Sequence, residues 1–181
     1  MSWLNDDGLF VTFGNEKSRP SQGGSVTAAD GATKLIEFDV AYDEVVSATP
    51  AIVGSVVGDV APKGIILPEG ALIEKVDVLV TTAWTSSGTI GSATFVLGTK
   101  EAGDRSTEAD HDGMLTSSAT GTVLGLATAG TLTEFVQGTT GHGADVGGSA
   151  LAENQVVVLS NSAHSSHPYT AGAARVRIWY R

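Results

Sequence analysis

Leu67-Pro-Glu-Gly-Ala-Leu-Ile-Glu-Lys-Val-Asp-Val-Leu-Val-Thr-Thr-Ala-Trp84 decides the fold class. Pro68 and Gly70 supply a turn, and from Ile73 the chain alternates. Val76, Val78 and Val80 share one face, while Lys75, Asp77 and Leu79 share the other. A period of two in β-branched residues predicts a long strand with one buried face. Thr85–Gly91 reads as a turn. Ser92–Thr99 then returns as a strand with Ala93, Phe95 and Leu97 on one face, which predicts a hairpin or close pair with the strand from Ile73.

Further short β runs lie on both sides. Lys34–Val40 sets Leu35, Ile36, Phe38 and Val40 against Lys34, Glu37 and Asp39, and Ala51–Val57 is a weaker strand broken by Gly54. Thr122–Leu126, Thr131–Val136 and Gln155–Ser160 follow. Ala173–Arg181 closes the chain with Val176, Ile178 and Tyr180 opposite Arg175, Arg177, Trp179 and Arg181. About eight short strands separated by turn signals predict an all-β protein, a β-sandwich of jelly-roll-like form. Lys100–Ser118 is acidic and turn-rich, with room for one short helical turn near Asp110, and Gly138–Ala150 and Ser160–His167 are polar loops. At the other end Leu9–Phe13 reads as an early strand and Asn15–Gly31 as a polar linker. The expected organisation is therefore an extended N-terminal arm, residues 1–32, and a sandwich body, residues 33–181.

Composition agrees and removes several functions. A chain of 181 residues suits one domain plus an arm. Charged residues, at 17%, fall short of the usual quarter; 23 Gly, 17 Ser and 20 Thr supply polarity that favours strands and turns. Without cysteine there is no disulfide, thiolate metal site or cysteine nucleophile. A net charge of -10 opposes a phosphate-neutralising surface, so no nucleic-acid partner is expected. No run approaches the 18 or so apolar residues of a membrane span, and Met-Ser-Trp-Leu-Asn-Asp-Asp is not a secretory leader. Synthesis in a cytoplasm and no membrane partner are the expectation.

Candidate chemistry is sparse. His111, His142, His164 and His167 all sit in polar stretches where solvated histidine is the ordinary outcome, and His164-Ser-Ser-His167 lacks the helix its spacing would need for a metal. Asp110-His-Asp112-Gly113 opens like a calcium loop, but the Gly and Glu required further on are missing. A looser calcium site built from Asp104, Asp110 and Asp112 competes with a solvated acidic loop, and the latter is preferred. No Gly-x-Ser-x-Gly elbow occurs, paired carboxylates fall in turns, and Gly138–Gly143 lacks a following Lys-Ser/Thr. The sequence therefore predicts no enzyme, no cofactor and no resident metal.

Four segments resemble the small β-sandwich virion proteins of tailed bacteriophages. They are Leu4–Lys17, Ile66–Trp84 with its companion Ala93–Thr99, Thr107–Leu115, and the closing Gly172–Tyr180. The resemblance implies a structural protein of the phage head exterior, first a capsid decoration (cement) protein that stabilises the shell, and second a head-fibre or tail appendage. It brings no catalytic residue. On this reading the arm docks on the major capsid protein through Trp3, Leu4, Leu9, Phe10 and Phe13, and the body assembles as a homotrimer. A carbohydrate-binding appendage would instead need Trp84, Trp179 or Tyr169 exposed for stacking on sugars, and a hydrolase reading rests only on abundant Ser and His.

Overall fold

In a computed structural model, residues 2–4, 10–12, 24–28, 33–45, 47–53, 64–104 and 108–181 are described. Twelve strands, one α-helical turn and two 3-10 turns (Tyr42–Glu44 and Ile90–Ser92) are found among them: β1 (Ser2–Leu4), β2 (Phe10–Thr12), β3 (Gly24–Ala28), β4 (Lys34–Ala41), β5 (Ala51–Ile52), β6 (Ile66–Leu67), β7 (Ile73–Ser86), β8 (Val96–Glu101), β9 (Glu108–Leu115), α1 (Gly121–Leu124), β10 (Leu132–Phe135), β11 (Gln155–Ser160) and β12 (Tyr169–Tyr180). The strands from β3 on form two antiparallel sheets, ordered β10-β7-β12-β4-β3 and β5-β11-β8-β9, with β6 also paired to β11. Successive strands repeatedly change sheets, since β7 leads to β8, β9 to β10, β10 to β11 and β11 to β12. That alternation is the jelly-roll-like feature expected of the sandwich.

The period-two faces meet in the middle. In the first sheet Val76 of β7 lies opposite Ile178 of β12, itself opposite Ile36 of β4; Val78, Val176 and Phe38 form the next row. The second sheet answers with Leu97, Leu115, Val157 and Leu159, and all these side chains belong to one buried cluster. Apolar burial at about 25 cal/mol per Å2 is the driving term here. Trp84, Phe95 and Tyr169 fill one end of the core, with the Trp84 ring 5.9 Å from Phe95 and 4.6 Å from Tyr169, both edge-on. Gly172, at φ +129°, lets Trp84 lie against β12: a Cβ there would sit 2.4 Å from the indole Cγ.

Several expectations are corrected. The strands from Ile73 and Ser92 are not a hairpin or neighbours: β7 pairs with β12 and β10, while β8 pairs with β11 and β9 in the opposite sheet. β7 turns one face inward and β8 is buried from Val96 to Thr99, so they lie in opposite layers and the 87–95 connection spans the two. The turn expected near Asp110 is strand β9. A two-residue step on β8, Leu97 to Thr99, spans Leu115 to Asp110 on β9, so β9 bulges over Gly98. The run Thr122–Leu126 holds a helical turn, not a strand. Thr120 caps it by accepting from the Val123 amide at 3.4 Å, and Gly125 closes it at φ +62°. Within the expected linker, Gly24–Ala28 is β3, which pairs along β4 from Phe38 to Lys34. The strand expected over Ala51–Val57 is described only as Ala51–Ile52; residues 54–57 lie outside the described residues.

Candidate docking surfaces

Of the predicted anchors, Trp3 and Leu4 fall on β1 and Phe10 on β2, and Leu9 and Phe13 lie outside the described residues. β1 and β2 form a two-stranded antiparallel sheet of their own, with Trp3 opposite Val11 and Leu4 opposite Phe10. Leu9–Phe13 reads from sequence as one strand, and β2 falls within it; its partner β1, Ser2–Leu4, is too short to show periodicity.

The outward face of the first sheet carries an ion-pair ladder. Arg175 on β12 donates through Nε to Asp39 Oδ1 at 2.8 Å and through an Nη to Asp39 Oδ2 at 3.2 Å; Arg177 Nε donates to Glu37 Oε2 at 2.6 Å. On β7, Lys75 Nζ reaches Asp77 Oδ2 and Glu134 Oε1, each at 3.2 Å, and lies 5.1 Å from the centre of the Trp179 ring. Burial draws the Lys75 pKa down, but its bonds to Asp77 and Glu134 outweigh this and hold it above the ordinary lysine value. The bond to Asp39 raises Arg175 likewise. Antiparallel pairing places oppositely charged residues side by side, which is how the alternation in β4, β7 and β12 becomes a ladder.

A second feature was only partly foreseen. Asp110 and Asp112 on β9 do come together, and the third carboxylate the fold brings beside them is Asp145, from the loop after β10. That loop runs along β9: the Gly143 amide donates to Met114 O at 2.8 Å and the Asp145 amide to Gly113 O at 2.7 Å. Gly113 makes the convergence sterically feasible, because a Cβ there would lie 2.2 Å from Asp145 Oδ2 and 2.9 Å from Asp110 Cγ. Desolvation, followed by the charges of Asp110 and Asp112, pushes the Asp145 pKa up to about 6. Asp110 is raised too, by burial first and then by its hydrogen bond with Asp112. Among the described residues no group of three or more His, Asp or Glu is arranged to hold a metal ion. The cluster is thus a set of carboxylates crowded by backbone pairing. Asp145 could not be picked from sequence, because it lies in a loop with no periodicity and its neighbours come from β9.

Two of the four histidines bond within or between loops, while Nδ1 of His164 is buried without a hydrogen-bond partner. His167 Nδ1 accepts from the Thr89 amide at 2.9 Å, tying the β7–β8 connection to the β11–β12 loop. His142 Nε2 accepts from the Gly138 amide at 3.3 Å. The aromatic residues that would stack on sugar are not available for it. Trp84 and Tyr169 are buried, Tyr169 donates its hydroxyl to Thr94 O at 2.9 Å, and burial raises its pKa; Trp179 is half-buried beneath Lys75 and bonded to Asp77.

These features define an all-β sandwich of two antiparallel sheets whose outer surfaces carry ion pairs and hydroxyl-rich loops. Comparison with known proteins places this fold. The chain is similar to a protein in the solved structure described as the capsid of Ralstonia phage GP4, with a TM-score of 0.53 and 15% sequence identity over 88% of this chain and 92% of that one. No protein-family model matches the chain, and neither does any curated protein.

Proposed function

We propose that this chain is a non-enzymatic virion structural protein of a tailed phage, a decoration (cement) protein on the head exterior that binds and stabilises the shell. One observation carries the reading: the sandwich shares its fold, across nearly its whole length, with a protein of a phage capsid. The arm, residues 1–32, is the contact with the major capsid protein, through Trp3, Leu4, Leu9, Phe10 and Phe13, and the body self-associates as a homotrimer. Each Phe or Leu buried at such a contact contributes about 1.5–3 kcal/mol before ordering costs, and repetition across a trimer multiplies the effect. A strand edge in the arm adds backbone hydrogen bonds by pairing with a neighbour. The pairing of β3 along β4 supports an arm that is anchored to the body's first sheet at its C-terminal part. A head-fibre or tail appendage is the second reading; its sugar-stacking form is disfavoured by the burial of Trp84 and Tyr169.

The test is co-sedimentation with shells of the phage head that lack this protein. The full chain should pellet with shells, and a chain with Trp3, Leu4 and Phe10 changed to Asp should stay in the supernatant with an unaltered circular dichroism spectrum. Failure of the unmodified chain to pellet overturns the decoration reading. Pelleting of the substituted chain overturns the role of the arm.

A further inference from the structure

One long side of β10 is open. β10 ends the strand order of the first sheet. Val80 of β7 donates its amide to Thr131 O at 2.8 Å, and that bond sets the alternation of the ladder that continues through Thr133–Val78 and Phe135–Val76. Thr133 and Phe135 therefore turn their backbone groups toward β7, and Leu132 and Glu134 turn theirs outward. The side chains agree: Leu132 is 49% exposed, and Val136, just beyond the strand, 40%. The edges of the second sheet are shorter or occupied. β5 has two residues, and β9 is covered by the loop that donates from Gly143 to Met114 O and from Asp145 to Gly113 O.

Edge strands usually discourage pairing with a proline, a lysine or a bulge. β10 has none of these, and it pairs with β7 without a register shift. Its single charge, Glu134, is held by Lys75 of its own chain at 3.2 Å. On the same outer face Arg175 is paired with Asp39 and Arg177 with Glu37, so charges balance there although the chain as a whole stands at -10. A second copy approaching along this sheet meets ion pairs rather than uncompensated acid.

We propose that β10 pairs antiparallel with β10 of a second copy across a two-fold axis at Thr133. Residues with outward backbone groups must face one another, which leaves registers centred on Leu132, Thr133 or Glu134. Centring on Glu134 sets like charges directly opposite each other. Centring on Leu132 sets Glu134 against Gly130, whose amide is already given to Val80 O and whose φ is +86°, so only the Leu132 pair bonds. Centring on Thr133 sets Leu132 opposite Glu134 twice and forms four backbone bonds. It also brings each Leu132 diagonally beside Leu132 and Val136 of the other copy, within reach of apolar side chains. Four residues a side bury less than the about 1,200–2,000 Å2 of a stable interface, so one such contact is weak alone and gains from repetition. The inference goes beyond the proposed function: a two-fold contact cannot close a trimer, and shell binding does not depend on it.

The chain has no cysteine, so introduced cysteines report alone. Full chains carrying Leu132→Cys are mixed with full chains carrying Glu134→Cys under a mild oxidant, and linked dimers are followed on non-reducing gels, with circular dichroism confirming each fold. Opposed residues of a hydrogen-bonded pair have Cα atoms about 5.5 Å apart, within disulfide reach, whereas the diagonal partners met by either variant alone lie at about 7–8 Å. The mixture should link about tenfold or more faster than either variant alone, and than Ile66→Cys, an exposed residue of β6 that reports random collision. A mixture no faster than Ile66→Cys overturns the pairing, and one no faster than either variant alone overturns the axis at Thr133. Neither result bears on shell binding, which co-sedimentation tests separately.

Discussion

Trp179 Nε1 donates to Asp77 Oδ2 at 3.0 Å across the junction of β12 and β7, and Lys75 Nζ meets the same oxygen at 3.2 Å. Asp77 is 3% exposed although it points away from the core. Arg177, its partner in register, is committed to Glu37. The carboxylate is therefore the acceptor that holds the indole and the ammonium in place on the outer face of the sheet.

Asp77→Ala removes the acceptor and leaves the Trp179 N–H and the Lys75 charge to find water. The expected loss is about 1–3 kcal/mol of unfolding free energy. Asp77→Asn keeps an oxygen for Trp179 and should lose less. Urea denaturation read by tryptophan fluorescence checks both, and a loss in the Ala variant no greater than in the Asn variant would show that the bond to Trp179 contributes nothing.

Gly98 is needed for packing rather than for conformation. A Cβ there would lie 2.2 Å from Asp110 O and from His111 C, backbone atoms of the β9 bulge that cannot rotate aside. Gly98→Ala should cost about 3 kcal/mol or more. Gly103→Ala, with nothing within 4 Å of the new methyl, should stay within about 0.5 kcal/mol. Melting temperatures of the two variants decide it.

What the sequence could show, and what it could not, follows from the range of each signal. The face of a strand is local: Val76, Val78 and Val80, or Val176, Ile178 and Tyr180, reveal which side is buried. The neighbour of a strand is not, because alternation is the same whether β7 pairs with β8 or with β12, about a hundred residues away in sequence. Thr120 and Gly125 are visible capping residues, but the four residues of α1 between them are too few to show a helical period. The ion-pair partners of Arg175 and Arg177 follow from register alone, so they became legible only once β4 and β12 were known to pair. The acidic cluster was half legible, as Asp110 and Asp112, for the same reason.

Asp145 makes stability depend on pH in a direction opposite to an ion-paired carboxylate. Its pKa is about 6 in the folded chain against an ordinary 3.8, so the folded state holds the extra proton between those values. Stability should therefore rise as pH falls from 7 toward 4, and the contribution is lost as pH rises through 6. The side chain is only half-buried, so solvent screening reduces the effect to about 1 kcal/mol, or a few degrees in melting temperature. Asp145→Asn should raise the melting temperature at pH 7 to 8 and leave it nearly unchanged at pH 4. An equal shift at both values would mean that the charge is not the cause.

Asn161 is the last test, because its fully buried side chain ties the β7–β8 connection to the β11–β12 loop. Asn161→Ala leaves the Thr94 amide without its acceptor and removes the donor to His167 O; the Ala163 amide keeps the Thr94 hydroxyl at 3.3 Å, and that hydroxyl keeps Ser162, 2.8 Å away, as a side-chain partner. Unsatisfied buried groups cost about 1–3 kcal/mol each when relaxation is incomplete, so a total loss of about 2–4 kcal/mol is expected. Asn161→Asp separates the acceptor from the donor role. It keeps the oxygen that Thr94 and Ala163 use, but an ionised carboxylate cannot donate to His167 O, and its charge is buried among loops that carry none. Burial raises such a carboxyl's pKa, so the Asp variant should be most stable in acid, where the protonated group can donate again, and should lose stability as pH rises through that raised value. Thermal melts of both variants at pH 4 and pH 8 check this. An Ala variant as stable as the unmodified chain, or an Asp variant indifferent to pH, would show that the loops are held by their backbone bonds alone.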